Sequence, residues 1–315
     1  MDDTLTTRDR ERADTLTIIV KEETPFLPKV AFALITLASL GGAFFTGRGM
    51  GLEPMALGMR WLTLWSLALA GGFLAWRVCY LRAHETDVDD EAIARLNDSA
   101  LTRADQVARW VAPIVFLGAP GALVVPPMMI DPSLRWGMVI GSVLLAGLLL
   151  SGVTRRATAI LALAVVTLLL AAWATTDAGT DWHGLVRMLH LSAFSLWLGG
   201  ALWNIAVAMP AGRAHPNLDA VLAGARQLDR FRWVVRFVLP TIILTGVFMA
   251  WGYRVMPLEW WLSYPGVLIP LKVLAIVALV VVFITCPLFR HCSPVQGVCN
   301  TDDLAESPPV KVTHR

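Results

Sequence analysis

Apolar runs long enough to cross a membrane recur along the whole chain, and they constrain its fold more than any other feature. A helix needs about 20 mostly apolar residues to span the hydrocarbon core of a bilayer. Eight such spans are predicted, at residues 27–46, 57–78, 110–130, 135–153, 157–175, 183–208, 231–253 and 266–288. Hydrophobic residues make up 56% of the 315 residues and charged residues only 16%, which excludes an ordinary soluble globule. The sequence therefore predicts an all-α, polytopic membrane helix bundle.

The positive charges predict how this bundle is oriented. Lysine and arginine concentrate in the loops on the cytoplasmic side of membrane proteins. With the N-terminus inside, 20 of the 26 lysines and arginines fall on the inner side. We therefore expect both termini in the cytoplasm of a bacterium, with the chain in its inner membrane.

Charge and hydropathy divide the chain into four parts. They are a charged N-terminal extension (1–26), a first set of membrane helices (27–182), a second set (183–288) and a polar tail (289–315). Within the first set, residues 83–109 form the one sizeable inner segment. Its apolar residues Ala92, Ile93, Leu96, Leu101 and Val107 recur at helical spacing, which predicts an amphipathic helix lying on the inner membrane face. Segment 211–230 has the same pattern, with Asn217 or Asp219 at its start.

Residues 183–204 carry the strongest indication of a functional site. At 100° per residue, seven residues fall on one side of this helix, and all but Ala201 are polar or aromatic. They are His183, Arg187, His190, Phe194, Trp197, Ala201 and Asn204. Ionisable residues inside a membrane are costly and commonly mark function. For His190, a structural hydrogen bond to a neighbouring helix is an equally good interpretation.

Lys272 lies at a similar depth in the last predicted span. Its simplest interpretation is that the ammonium reaches back to the outer headgroups. Methionines are concentrated on the outer side, and methionine with histidine suits Cu(I). Met249, Met128 and Met129 are candidate co-ligands of His190, with His183 as a further ligand. Methionine is equally an ordinary packing residue in helical cores.

Other chemistries have weaker support. A b-type haem usually takes axial ligands from two helices, whereas both membrane histidines lie on one, so a haem needs His–Met ligation or a partner subunit. No Asp or Glu falls inside the eight predicted spans, and no catalytic motif is visible, so we expect no enzyme. Net charge is +2, which gives no reason to expect nucleic-acid binding. Cys292 and Cys299 in the tail match no standard zinc spacing.

The second half of the chain resembles the copper resistance D (CopD/YcnJ-type) membrane proteins. The resemblance covers residues 183–288 and rests on three short pieces of sequence. They are His190 followed by Trp197, Gly199 and Gly200; Thr245 and Gly246 in RFRWVVRFVLPTIILTGVFMAWG; and Lys272 in LIPLKVLAIVALVVV. The paired glycines also allow helices to pack closely.

This resemblance implies an inner-membrane protein that binds or transports copper, with a periplasmic copper-binding protein as a partner. The first half departs from that pattern, because its first two spans carry no histidine. A second hypothesis is therefore kept: a non-catalytic membrane subunit of a redox or oxidase complex, with or without haem b. Arg187 and Lys272 favour the second hypothesis, since they would repel a bare cation but would pair with haem propionates or lipid headgroups.

Overall fold

The structure is a computed structural model, and it describes residues 16–20, 26–85, 88–126, 130–215, 217–285 and 310–314. The described chain is a helix bundle. Its helices are α1 (Phe26–Gly49), α2 (Pro54–Cys79), α3 (Asp90–Gly118), α4 (Pro132–Leu150), α5 (Arg156–Ala178), α6 (Trp182–Trp203), α7 (Met209–Ala214), α8 (Leu218–Ala250), α9 (Leu258–Leu262) and α10 (Leu268–Thr285). A π-helical turn, Asn204–Ala208, joins α6 to α7. Strands β1 (Leu16–Val20) and β2 (Val310–His314) pair in parallel, so the two terminal segments lie on the same side of the bundle.

The predicted membrane bundle is confirmed by the length and composition of these helices. Seven segments in the described residues are long and apolar enough to cross a membrane, and α10 adds a shorter apolar helix. Large apolar side chains such as Leu168, Phe237, Leu244 and Leu274 are exposed on the outside of the bundle. In water these side chains would be a liability, whereas in a bilayer they meet lipid tails.

The centre of the bundle is the contact between α2 and α6, the most extensive between any two described helices. Gly72 on α2 and Gly199 on α6 let the two backbones touch. A Cβ atom at Gly199 would lie 2.1 Å from the backbone nitrogen of Phe73, which no real side chain tolerates. The Ser195 hydroxyl donates a hydrogen bond of 2.7 Å to the carbonyl of Ala68 across the same contact. Because α6 belongs to the second predicted set of helices and α2 to the first, the two sets form one interleaved bundle.

Residues 83–109 contain the expected amphipathic helix, but this helix is not a separate element. It is the beginning of α3, which continues without a break into the third membrane span. Asp89 caps this helix by accepting a hydrogen bond from the amide of Ala92. The stripe Ala100, Ala104 and Ala108 is buried, because small side chains let α3 pack closely against its neighbours. The apolar face therefore contacts the protein's own helices instead of the membrane surface.

Segment 211–230 shows a similar difference. Asn217 caps α8 through a hydrogen bond from the Ala220 amide, so the predicted helix start is confirmed. The helix then runs on through Ala250 as one element, although a separate surface helix was expected.

Candidate functional site

A tight turn between α5 and α6 creates the charged part of the site. Gly179 ends α5 at φ +82°, a conformation that glycine adopts easily, and Asp181 caps α6 two residues later. The chain thus reverses within a few residues. Asp177 in the last turn of α5 consequently lies opposite Arg187 in the second turn of α6.

Asp177 is held between two arginines. Its Oδ1 accepts from Nη2 of Arg60 at 2.6 Å, and its Oδ2 accepts from Nε and Nη2 of Arg187 at 3.0 and 2.7 Å. The side chains of Arg60 and Asp177 are 0% and 2% exposed. Arg60 also lies over the ring of Trp173, with its Cζ 5.1 Å from the ring centroid. This ion cluster was missed by the sequence reasoning, because the fifth span was predicted to end at residue 175 and so to exclude Asp177.

His190 lies further along the same face of α6 and is buried, with 7% exposure. Its Nδ1 is 2.9 Å from the Oγ1 atom of Thr245 on α8. The hydroxyl of Thr245 is also within hydrogen-bonding distance of the carbonyl of Thr241 in its own helix. When the hydroxyl of Thr245 donates to a carbonyl of its own helix, Oγ1 accepts from Nδ1–H of the imidazole and Nε2 keeps a lone pair; the other tautomer reverses these roles.

Lys272 on α10 completes the site. Its ammonium lies against Gly42 of α1, where an added Cβ atom would be 2.9 Å from Nζ. Among the described residues it has neither a hydrogen-bond acceptor nor an ion-pair partner, although its charge interacts with that of Arg187. The side chain is half-buried between α1 and α10, and its expected reach to the outer headgroups stays a prediction.

Arg187, His190 and Lys272 line one cavity of about 70 Å³, at the meeting of α1, α2, α6, α8 and α10. We call it the outer cavity, after the orientation that the positive charges predict. Trp197 lines it too, and most of the remaining wall is apolar. Counting the cavity residues and their ion partners, Arg60, Arg187 and Lys272 contribute three positive charges and Asp177 one negative charge. The described site therefore carries two uncompensated positive charges, with Nε2 of His190 as its acceptor in the first of the two tautomers.

The other predicted ligands lie elsewhere. His183 does not line the cavity. It is exposed at the outer end of α6, where its Nδ1 is 3.1 Å from Oδ2 of Asp181, and this hydrogen bond lowers the pKa of Asp181. Met249 lies one turn beyond Thr245 on α8 and is also outside the cavity wall. Met128, Met129 and the tail thiols of Cys292 and Cys299 lie outside the described residues.

Asn204 takes part in a different environment. It begins the π-helical turn at the inner end of α6 and donates from Nδ2 to the carbonyl of Gly200 at 2.9 Å. The predicted stripe on α6 is therefore divided, with Arg187, His190 and Trp197 at the outer cavity and Asn204 near the opposite end.

The glycine and threonine positions of the family resemblance position these groups. Gly200 accommodates Trp76 and Phe231, whose atoms would lie 2.6 and 2.7 Å from an added Cβ. Gly246 lies against His190, with 3.6 Å between its hypothetical Cβ and the Cε1 of the imidazole. Thr245 fixes the imidazole as described above.

The described residues do not assemble a recognisable metal site. Within them, no group of three or more His, Cys, Asp or Glu side chains is close enough to hold an ion. Among the described residues, His190 is the one candidate ligand in the outer cavity wall, and no methionine lines it. A scan of protein-family models and searches of the curated proteins and the solved structures each found no match to this chain. The family resemblance consequently stays a prediction.

Proposed function

We propose that this multi-pass membrane protein is a non-catalytic binding subunit whose outer cavity holds the acidic headgroup of a lipid-soluble ligand. The observation that carries the proposal is the half-buried Lys272 ammonium, which has no partner among the described residues and faces a cavity with net positive charge. A charge that is partly withdrawn from water and has no counterion is unfavourable, so an anion in the cavity would stabilise the site.

The cavity wall contains hydrogen-bond donors, positive charges and an acceptor that suit such a headgroup. Lys272 and Arg187 donate hydrogen bonds and supply positive charge, while Nε2 of His190 accepts a hydrogen bond from a protonated oxygen. Apolar side chains of α1, α8 and α10 complete the wall, including Ile35 and Leu279. This combination favours a carboxylate or phosphate attached to an apolar body. The lysine and arginine distribution supports a bacterial inner membrane with both termini in the cytoplasm, where other membrane subunits are the natural partners.

Copper handling of the CopD type is the second candidate. One observation favours it: a hydrogen bond between Nδ1 and Thr245 holds the His190 imidazole in the cavity wall, as hydrogen bonds to the second ring nitrogen hold metal-bound histidines. The two excess positive charges oppose a bare copper ion. Asp177 is shared between Arg60 and Arg187, so it offsets only part of the repulsion expected from Arg187 and none of that from Lys272. Copper would therefore have to arrive with an anionic ligand.

Haem b fits less well. Arg187 and Lys272 could pair with propionates, and His190 offers one axial nitrogen. The cavity of about 70 Å³ is far smaller than a porphyrin, and its described wall contains no second axial ligand. We therefore assign no role to haem.

The test is to purify the protein in a mild detergent and identify what remains bound. Small molecules are extracted and measured by mass spectrometry, while metal content and the visible spectrum are recorded on the same sample. We expect about one acidic lipid-soluble molecule per chain in the wild type and its loss in Lys272→Met. Lys29→Met is the matched control, because Lys29 is exposed on α1 and does not line the cavity. Equal recovery from both variants, or no acidic molecule in the wild type, refutes the proposal. Stoichiometric copper without a Soret band would favour the second candidate.

A further inference from the structure

The helices around the outer cavity pack on one another along every side but one. α10 packs on α1, α1 on α2, α2 on α6 and α6 on α8. Between α8 and α10 the described residues make no comparable contact, although both helices contribute to the cavity wall. No other described element contributes to that wall. The wall is therefore interrupted between these two helices, and we call this interruption the α8–α10 gap.

The sides of the gap are suited to a lipid chain. Leu239 and Ile242 of α8 and Ile276 and Leu279 of α10 contribute apolar side chains to the cavity wall. The backbone polar groups of both elements are paired within their helices, so a gap between them exposes no unpaired backbone group to hydrocarbon. An apolar chain can therefore enter this gap from the bilayer without meeting a polar barrier.

The size of the cavity and the depth of Lys272 define what such a chain would carry. About 70 Å³ has room for a few water molecules, which is the bulk of a carboxylate or phosphate group but not of a whole lipid. The rest of the ligand must then lie outside the cavity. Lys272 is the fifth residue of α10, about 6 Å from the predicted outer end of that helix. Lipids of the outer leaflet have their headgroups at a comparable depth.

We propose that the outer cavity takes its ligand laterally from the outer leaflet of the membrane, through the α8–α10 gap. The ligand is an acidic lipid, whose headgroup reaches Lys272 and Arg187 while its apolar chain stays in the gap. This inference rests on the function proposed above, to which it adds the class of ligand and its route of entry.

The experiment uses the full-length protein in lipid nanodiscs, and the probe is palmitic acid with a diazirine in the middle of its chain. Light converts the diazirine into a carbene that inserts into neighbouring side chains, and mass spectrometry of the peptides locates them. The methyl ester of the same probe is the control compound, because it keeps the chain and lacks the charge. Labelling around Leu168 on α5 measures ordinary lipid contact in the same sample, since Leu168 is exposed on the outside of the bundle and does not line the cavity.

We expect the acid to label α8 around Leu239 and α10 around Ile276 more strongly than α5. In Lys272→Met this labelling should fall about tenfold, which corresponds to the loss of one hydrogen bond to a charged group. Lys29→Met should be labelled like the wild type, and the methyl ester should show no preference for the gap.

Two results would overturn the inference. One is labelling of α8 and α10 that is no stronger than that of α5. The other is equal labelling of the gap in the wild type and in Lys272→Met, because the gap would then be ordinary lipid-facing surface. If an acidic molecule still copurifies with the wild type and is lost in Lys272→Met, only the route is wrong and the proposed function stands. If no acidic molecule copurifies, the proposed function fails with it.

Discussion

Replacing Asp177 by Asn tests the charge balance of the outer site most directly. The asparagine keeps the size of the side chain but removes the one negative charge between Arg60 and Arg187. Asp177 accepts three hydrogen bonds from these guanidinium groups, and Arg60 is completely buried. Breaking a buried pair by removing one partner costs about 3–5 kcal/mol, because the remaining charge is left uncompensated.

This cost should appear as a fall in melting temperature on the order of 10 °C, measured by intrinsic fluorescence in detergent. Asp181→Asn is the control, since that carboxylate belongs to the same turn but is 66% exposed and should give a small change. The double variant Arg60→Met with Asp177→Asn should recover much of the loss, because it also removes the orphaned buried cation. If Asp177→Asn and Asp181→Asn have the same melting temperature, the ion cluster does not stabilise the fold and the charge count of the site is wrong.

Three further outcomes are expected. Gly199→Leu should abolish the folded peak in size-exclusion chromatography, whereas Gly147→Leu, where nothing lies within 4 Å of an added Cβ, should leave it intact. Thr245→Val removes the acceptor of the His190 Nδ1–H, so the Nε2–H tautomer should rise in ¹⁵N-histidine NMR spectra. The hydrogen bond from the imidazole of His183 lowers the pKa of Asp181. The ionised carboxylate therefore stabilises the fold at pH values above its pKa in the unfolded chain, about 3.9, and this stabilisation is lost as the pH falls through the lower pKa of the folded protein. The melting-temperature difference between wild type and Asp181→Asn should therefore shrink below about pH 4, and a difference constant to pH 2 would contradict this.

The membrane helices were predictable because hydropathy is a local property. A run of apolar residues must be buried in lipid or protein wherever it lies, so its position can be read without knowing its neighbours. The beginning of α3 could not be assigned from hydropathy in this way. Its charged face and its alanine stripe are as compatible with a surface helix as with an extended membrane helix. The packing partners on α2 and α4 decide between the two, and hydropathy does not reveal them.

The candidate site was predicted in part for the same reason. The period of α6 puts Arg187, His190 and Trp197 on one face, and the structure brings these three to one cavity. Counting residues from the helix end also gave the depth of Lys272. The identity of each partner was not predictable, because Arg60 on α2 and Asp177 on α5 are 117 positions apart. Asp177 would have looked like an ordinary residue of an outer loop in any local interpretation.

Lys272 decides between the two functions considered for the outer cavity. Asp177 is shared by Arg60 and Arg187, and Arg60 does not line the cavity, so the objection to a cationic ligand depends mainly on the ammonium of Lys272. If an acidic headgroup is the natural ligand, Lys272→Met removes an attractive partner and lowers its retention. If copper is the natural ligand, the same change removes a repulsive charge, and Cu(I) affinity should rise on the order of tenfold through His190. Cu(I) competition against a coloured chelator measures that affinity, with His190→Gln as the control that must abolish binding. A gain of copper affinity in Lys272→Met, without any acidic molecule in the wild type, would identify copper as the ligand of this site. Unchanged copper affinity together with a lost acidic ligand would establish that the lysine is there to hold an anion.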